Sequence, residues 1–171
     1  MTHRNHLIIC CIALLIASAL VFAQSERGKS ELKTPNGTMT LDYGRPSLQG
    51  RDMLAKLEVG QFWRLGKDEV TILSTPVNLA FGSTKIPKGT HGLWLKRAAP
   101  DAFELVFNKQ VTGHGMMHDA AKDVATVPLA KSAIPKSEET LAIDLLPAST
   151  GGTLAVRWGT TRLAANFQFA K

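Results

Sequence analysis

Three features decide the fold class: the run Leu141-Ala142-Ile143-Asp144-Leu145, the pair Gly151-Gly152, and the run Leu154-Ala155-Val156-Arg157-Trp158. Apolar side chains recur at every second residue, and the glycine pair separates the two runs. That period places one face of a strand on a core and the other toward solvent. Leu163, Ala165, Phe167 and Phe169 repeat it toward the C-terminus. Upstream it recurs in Met39-Leu41-Tyr43, Val70-Ile72, Val77-Leu79-Phe81, Leu93-Leu95 and Phe103-Leu105-Phe107, while Val124 to Leu129 is less regular. Turn residues punctuate these runs. Ile86-Pro87-Lys88-Gly89 puts Pro and Gly where a type I turn prefers them, and Ala99-Pro100-Asp101 acts likewise. Only Arg51 to Val59 reads as helical, and Lys131 to Glu139 reads as a polar loop or one helical turn. The sequence predicts an all-β domain: an antiparallel β-sandwich or jelly-roll-like fold of about 8–9 strands with one short helix.

The N-terminus reads as an address. Residues 1–6 are polar and include Arg4, residues 7–23 (LIICCIALLIASALVFA) are almost wholly apolar, and Gln24 opens a polar stretch. A basic start, an apolar core and a Val21-Phe22-Ala23 ending match a secretory signal peptide over residues 1–23, cut after Ala23. The competing reading is an uncleaved membrane anchor, which needs about 20 apolar residues. Cys10 and Cys11 lie at the start of the apolar core, so no lipid-bearing Cys follows it, and both leave with the signal. The 171 residues less these 23 leave 148, with no cysteine and a formal charge of +5 instead of +6. An exported chain without disulfides must be held by its core, and one of this length can bury one. The expected place is the periplasm or the outside of the cell, with no stable membrane insertion after cleavage. No long run of like charge is present, so nucleic acid is not an expected partner. Residues 24–37 are polar and read as a flexible leader, with 38–171 as a single β domain. Asn36-Gly37-Thr38 spells a glycosylation sequon, and Asn-Gly is equally a turn signal.

A set of local motifs goes further. Tyr43-Gly44-Arg45-Pro46-Ser47 is followed by Gly50-Arg51 and by Trp63-Arg64-Leu65-Gly66-Lys67-Asp68-Glu69-Val70-Thr71. Ile86-Pro87-Lys88-Gly89-Thr90 and Phe107-Asn108-Lys109 come next, then Asp123 to Val127 and Arg157-Trp158 to Thr161-Arg162. In this combination the chain resembles the bacterial domain of unknown function family DUF2911, over nearly all of its mature length. The resemblance implies an exported bacterial all-β domain of about this size, and it implies no activity. The chain departs from the family pattern in two places. His114-Gly115-Met116-Met117-His118-Asp119 stands where the family carries aromatics in a Trp-Gly-x-x-Tyr-Asp segment, and His91 stands where a Tyr often follows Gly-Thr.

Two groups of residues could carry chemistry. Arg45 and Arg51 lie in a Gly/Pro loop, and Arg64 sits beside Trp63 and near Glu69. Arginine forks suit carboxylate or phosphate, and Trp63 could stack on a sugar or flat ring, so these five form a candidate ligand-binding face. The structural alternative is an ion pair of Arg45 or Arg64 with Glu69 that ties a loop to the sheet. The second group is His114, Met116, Met117 and His118, a set suited to copper or zinc. It lacks a third ligand at a recognisable spacing unless folding brings His91 near. Otherwise it is a loop whose Met residues cover the core edge, and no cofactor is expected. No serine sits in a Gly-x-Ser-x-Gly elbow, no thiol survives cleavage, and Asp68 and Glu69 are adjacent and would face opposite ways on a strand. Trp94 falls on the face opposite Leu93 and Leu95, which leaves its exposure open. The expectation is a non-enzymatic ligand-binding or accessory module for a small molecule or glycan. Its rivals are an enzyme acting on an envelope substrate through Asp/Glu and His, and a copper or zinc binder.

Overall fold

The computed structural model describes residues 27–115 and 117–171; the apolar segment read as a signal peptide and Met116 lie outside them. The chain runs β1 (Arg27–Thr34), β2 (Gly37–Gly44), α1 (Met53–Lys56), β3 (Phe62–Trp63), β4 (Thr71–Thr75), β5 (Asn78–Phe81), β6 (Thr84–Ile86), β7 (Gly89–Ala99), β8 (Ala102–Asn108), β9 (Asp123–Ala148) and β10 (Gly151–Ala170). A 3-10 turn, Ala120–Lys122, precedes β9. Among the described residues no helix is long and apolar enough to cross a membrane.

The all-β, antiparallel class holds. The strands follow one open hydrogen-bonded order, β1-β2-β4-β7-β8-β9-β10-β5-β6, with β3 beside β7. β3 and β4 share one edge of β7 in succession, Trp63 opposite Leu95 and Thr71 opposite Leu93. The order folds over on itself along β9, whose first part pairs with β8 and whose remainder pairs with β10. Leu41, Leu73, Leu93, Leu105 and Phe107 from one half then share a core with Leu79, Ile86, Ile143, Val156, Leu163 and Phe167 from the other. Phe81 touches both Phe107, at 5.5 Å between ring centres, and Phe167, at 5.4 Å. Burying each such side chain contributes about 1.5–3 kcal/mol.

Three expectations are corrected. Residues 27–34, part of the expected flexible leader, form β1 and pair with β2 along its whole length. The Asn36-Gly37 turn closes that hairpin, and Thr34 Oγ1 donates to the Gly37 carbonyl at 3.0 Å. The segment hides from periodicity analysis because its inward positions are Gly28, Ser30 and Leu32, while Lys29, Glu31 and Lys33 face out. Charged outward residues are what an edge strand needs to avoid pairing with other chains.

Residues 131–139, expected as loop or helical turn, belong to β9. They read as polar because nearly all are exposed, with no core against either face. The ladder also slips there: β9 runs from Ala133 to Glu138 while β10 advances only from Thr161 to Gly159, a bulge that accommodates Pro135. The described residues form ten strands rather than eight or nine: four of the expected runs merge in pairs into β9 and β10, while β1, the two-residue β3 and β6 are added.

The far half of β9 has a free edge, and side chains of β1 and β2 together with the chain between β2 and α1 cover it. Leu141 N–H donates to Pro46 O at 3.0 Å, and Leu48 N–H donates to Glu139 O at 2.8 Å. Ile143 N–H donates to Tyr43 Oη at 3.0 Å and Leu145 N–H to Ser30 Oγ at 2.9 Å. Every second donor of this edge therefore meets a protein acceptor, as buried backbone requires. Where this segment leaves β2, Gly44 meets the loop before β4 so closely that a Cβ there would lie 2.0 Å from Lys67 O.

Candidate functional site

β3 is only two residues long, and its side chains part to opposite faces. Trp63 turns to the main core and Phe62 to a smaller outer cluster. Trp63 lies flat against Trp158 of β10, with ring centres 5.2 Å apart and planes 14° from parallel. Met53, Lys56 and Leu57, from α1 and just after it, complete a recess of about 270 Å³ with Gln61 and Phe62. Trp158 is buried and its Nε1 has no hydrogen-bond partner. α1 forms because Asp52 caps it, Oδ1 accepting from Ala55 N–H at 2.9 Å, and because Leu54 buries its one apolar face.

Arg97 holds the wall of this recess. Its Nη1 donates to Ala55 O at 3.0 Å and Leu57 O at 2.7 Å, and its Nη2 donates to Pro100 O at 2.6 Å. Its backbone also pairs with the same segment, through Gly60 N–H to Arg97 O at 2.7 Å and Arg97 N–H to Gln61 O at 3.2 Å. Lysine cannot reproduce the planar fork. Arg97→Lys is expected to cost about 1–2 kcal/mol, a partly exposed charge-assisted network being worth less than a buried one. Amide hydrogen exchange should show faster opening at residues 55–61, with the β9–β10 core unchanged.

A second concavity lies on the outer face. The chain after β8 crosses β7 so closely that a Cβ on Gly92 would lie 2.0 Å from Gln110 O. It then covers Val70, Trp94 and Val106, which makes Trp94 fully buried instead of a surface ring. His118 anchors this cover. Its ring stacks on Phe62 at 3.8 Å, meets Trp94 edge-on at 5.4 Å, and its Nε2 donates to Asp123 Oδ1 at 2.8 Å. Asn108, fully buried, donates through Nδ2 to Asp123 Oδ1 at 2.7 Å and Asp119 O at 2.9 Å, and accepts from Gln110 N–H at 2.8 Å. A shallow cleft of about 730 Å³ opens above, lined by Thr112, His114, Met117, His118 and Lys122 among others. Asp119 lies on its rim. The Lys122 ammonium, hydrogen-bonded at 3.1 Å, and then the Ala121 N–H hold its carboxyl below the usual range. Asp101 is lowered in the same way by Lys131. Both are exposed pairs, present above the ordinary carboxylate range and lost as pH falls through the lowered values.

The family model described as "Protein of unknown function (DUF2911)" matches residues 25–167. The chain belongs to the DUF2911 family. No curated protein and no solved structure matches it.

The DUF2911 motifs do structural work in this fold. Tyr43 to Gln49 dock the β9 edge, and Arg51 closes its own loop by donating to Leu48 O at 3.3 Å and Gln49 Oε1 at 3.2 Å. Arg45 Nε reaches Leu141 O at 3.5 Å. Arg64 donates to His114 O and so ties the outer cover down, and Glu69 is exposed beyond it. Of the five residues expected to form one ligand face, Trp63 alone lines the recess, while Arg64 works on the opposite side of the sheet. His118 and His91 both pack as rings. His118 stacks as above, and His91 lies edge-on to Phe107 at 6.0 Å with Nε2 donating to Pro87 O at 2.8 Å.

His91 therefore sits with the main core, and His118 on the outer face. Among the described residues no three His, Cys, Asp or Glu side chains gather as a metal site. His114 and Met117 are exposed, and Met116 lies outside the described residues. The residues that periodicity and motif reading missed are Asn108 as a hub, Arg97, and Trp158 as the partner of Trp63. Asn108 carried one signal, a polar residue directly after the alternating run Phe103-Leu105-Phe107.

Proposed function

We propose that the protein is an exported, non-enzymatic ligand-binding module of the bacterial envelope, with its ligand site in the recess between α1, β3 and β10. One observation carries this reading: a stacked Trp63–Trp158 pair walls a concave, largely apolar recess of about 270 Å³. Sites for drug-sized ligands run to about 300–1,000 Å³, so this one fits a smaller molecule. Lys56 is the sole titratable side chain lining it. Paired acid–base chemistry, or a nucleophile activated by a neighbouring base, needs a second group in reach, and this lining offers none. Export rests on the apolar run 7–23 and its small-residue ending.

The test is a ¹⁵N–¹H correlation spectrum of the mature protein titrated with mixtures of small amphipathic molecules. Shifts are expected at the indole N–H signals of Trp63 and Trp158 and at backbone amides 53–62. Shifts confined to residues 110–122 would move the site to the outer cleft and sink the assignment. N-terminal sequencing of protein from a periplasmic extract should begin at Gln24. An uncut chain in the membrane fraction would instead make the segment an anchor.

A further inference from the structure

We infer that the ligand of the Trp63–Trp158 recess is a small, flat apolar molecule ending in a carboxylate; this rests on the binding reading above. The argument is one of donors and acceptors. The polar side-chain groups of the lining residues are the Lys56 ammonium, the Gln61 amide and the Trp63 indole N–H, while Trp158 Nε1 is buried beneath the ring stack. Ammonium and indole donate only. The Gln61 Oε1 already accepts one hydrogen bond, from Glu58 N–H at 2.9 Å, so the NH₂ is the amide's readier group for a ligand. No Asp, Glu, Ser, Thr or Tyr lines the recess.

The side chains of such a site offer protons and take none. An ionised carboxylate is its complement, with two oxygens that only accept and a charge opposite to that of Lys56. A sugar fits poorly, because each hydroxyl brings a donor that would lose its water without gaining an acceptor. An amine fits worse, since it would meet Lys56 with like charge and no acceptor. The rest of the lining sets the body of the ligand. Met53, Leu57 and the Trp63 ring are apolar, and an indole face favours a flat partner.

The experiment is isothermal titration of the mature protein with three probes of one shape: 2-naphthoate, its neutral amide, and 2-naphthylmethylammonium. The carboxylate is expected to bind about tenfold or more tighter than the amide, with the ammonium weakest. Lys56→Gln, on the exposed side of α1, should bring carboxylate and amide together, while Trp63→Leu should weaken both. Indole N–H shifts in the unaltered protein locate binding without any variant. Equal or tighter binding of the amide, with Trp63 and Trp158 indole shifts, would overturn the carboxylate inference and leave the recess as the site. Absence of saturable binding by all three probes, or binding without those indole shifts, would overturn the reading of the recess as well.

Discussion

Replacing Trp94 by alanine is expected to lower the unfolding free energy by about 3–5 kcal/mol, among the largest effects of any single change in this chain. Domains of this kind have only about 5–15 kcal/mol in total, so the variant should show a large loss in urea midpoint. The reason lies in its position. Trp94 projects from β7 away from the main core and is nevertheless buried. Val70 and Val106 flank it, Phe62 and Ile72 pack against that cluster, and His118 lies across it. Its removal leaves a cavity under a cover with little packing of its own, and residues 109–119 should become protease-sensitive at the same time. Trp94→Phe separates size from polarity. The indole Nε1 is buried without a partner, so phenylalanine deletes an unsatisfied donor while keeping most of the volume. Its cost should stay below about 2 kcal/mol. Equal costs for the two variants would show that the indole group itself, and not its bulk, holds the cover.

Asn108→Asp changes almost no volume and should still cost about 3 kcal/mol or more at neutral pH. Asn108 Nδ2 serves two acceptors at once, Asp119 O and Asp123 Oδ1. A carboxylate has no proton for either, and it would stand buried at hydrogen-bond distance from a second carboxylate. The sign of the pH dependence follows. The introduced group would have its folded-state pKa raised above the unfolded value, so its penalty is largest above that range. The penalty should shrink as pH falls and a proton returns to the pair. Asn108→Ala should cost about 2–4 kcal/mol with no such relief, because it strands Gln110 N–H and Asp119 O at every pH. Urea unfolding at pH 7 and pH 5 separates the two. An Asp variant that is no more stable at pH 5 relative to the unaltered protein would show that the hub tolerates charge.

The all-β class, the Asn36-Gly37 turn and the core faces of Phe103-Leu105-Phe107 and Leu141-Ile143-Leu145 were all legible in sequence, because each is a local property of one strand or one turn. β1 was not, since an edge strand with one buried leucine carries no period. The long polar middle of β9 was not, since an exposed strand looks like a loop. The motif Tyr43 to Ser47 was visible as a motif but not as a task, because its task is set by a partner strand about a hundred residues later.

The same division holds at the candidate site. Sequence alone determined that three tryptophans exist, which face of its strand Trp94 and Trp158 each occupies, and that the chain carries the DUF2911 pattern. Tertiary structure alone decided that Trp63 meets Trp158, that Trp94 lies under a cover anchored by His118, and that Arg64 and Trp63 serve opposite faces. Alternation tells which way a side chain points from its own strand. It is silent on which strand, brought from far along the chain, lies opposite, and that choice is made by burial and pairing of the whole sheet.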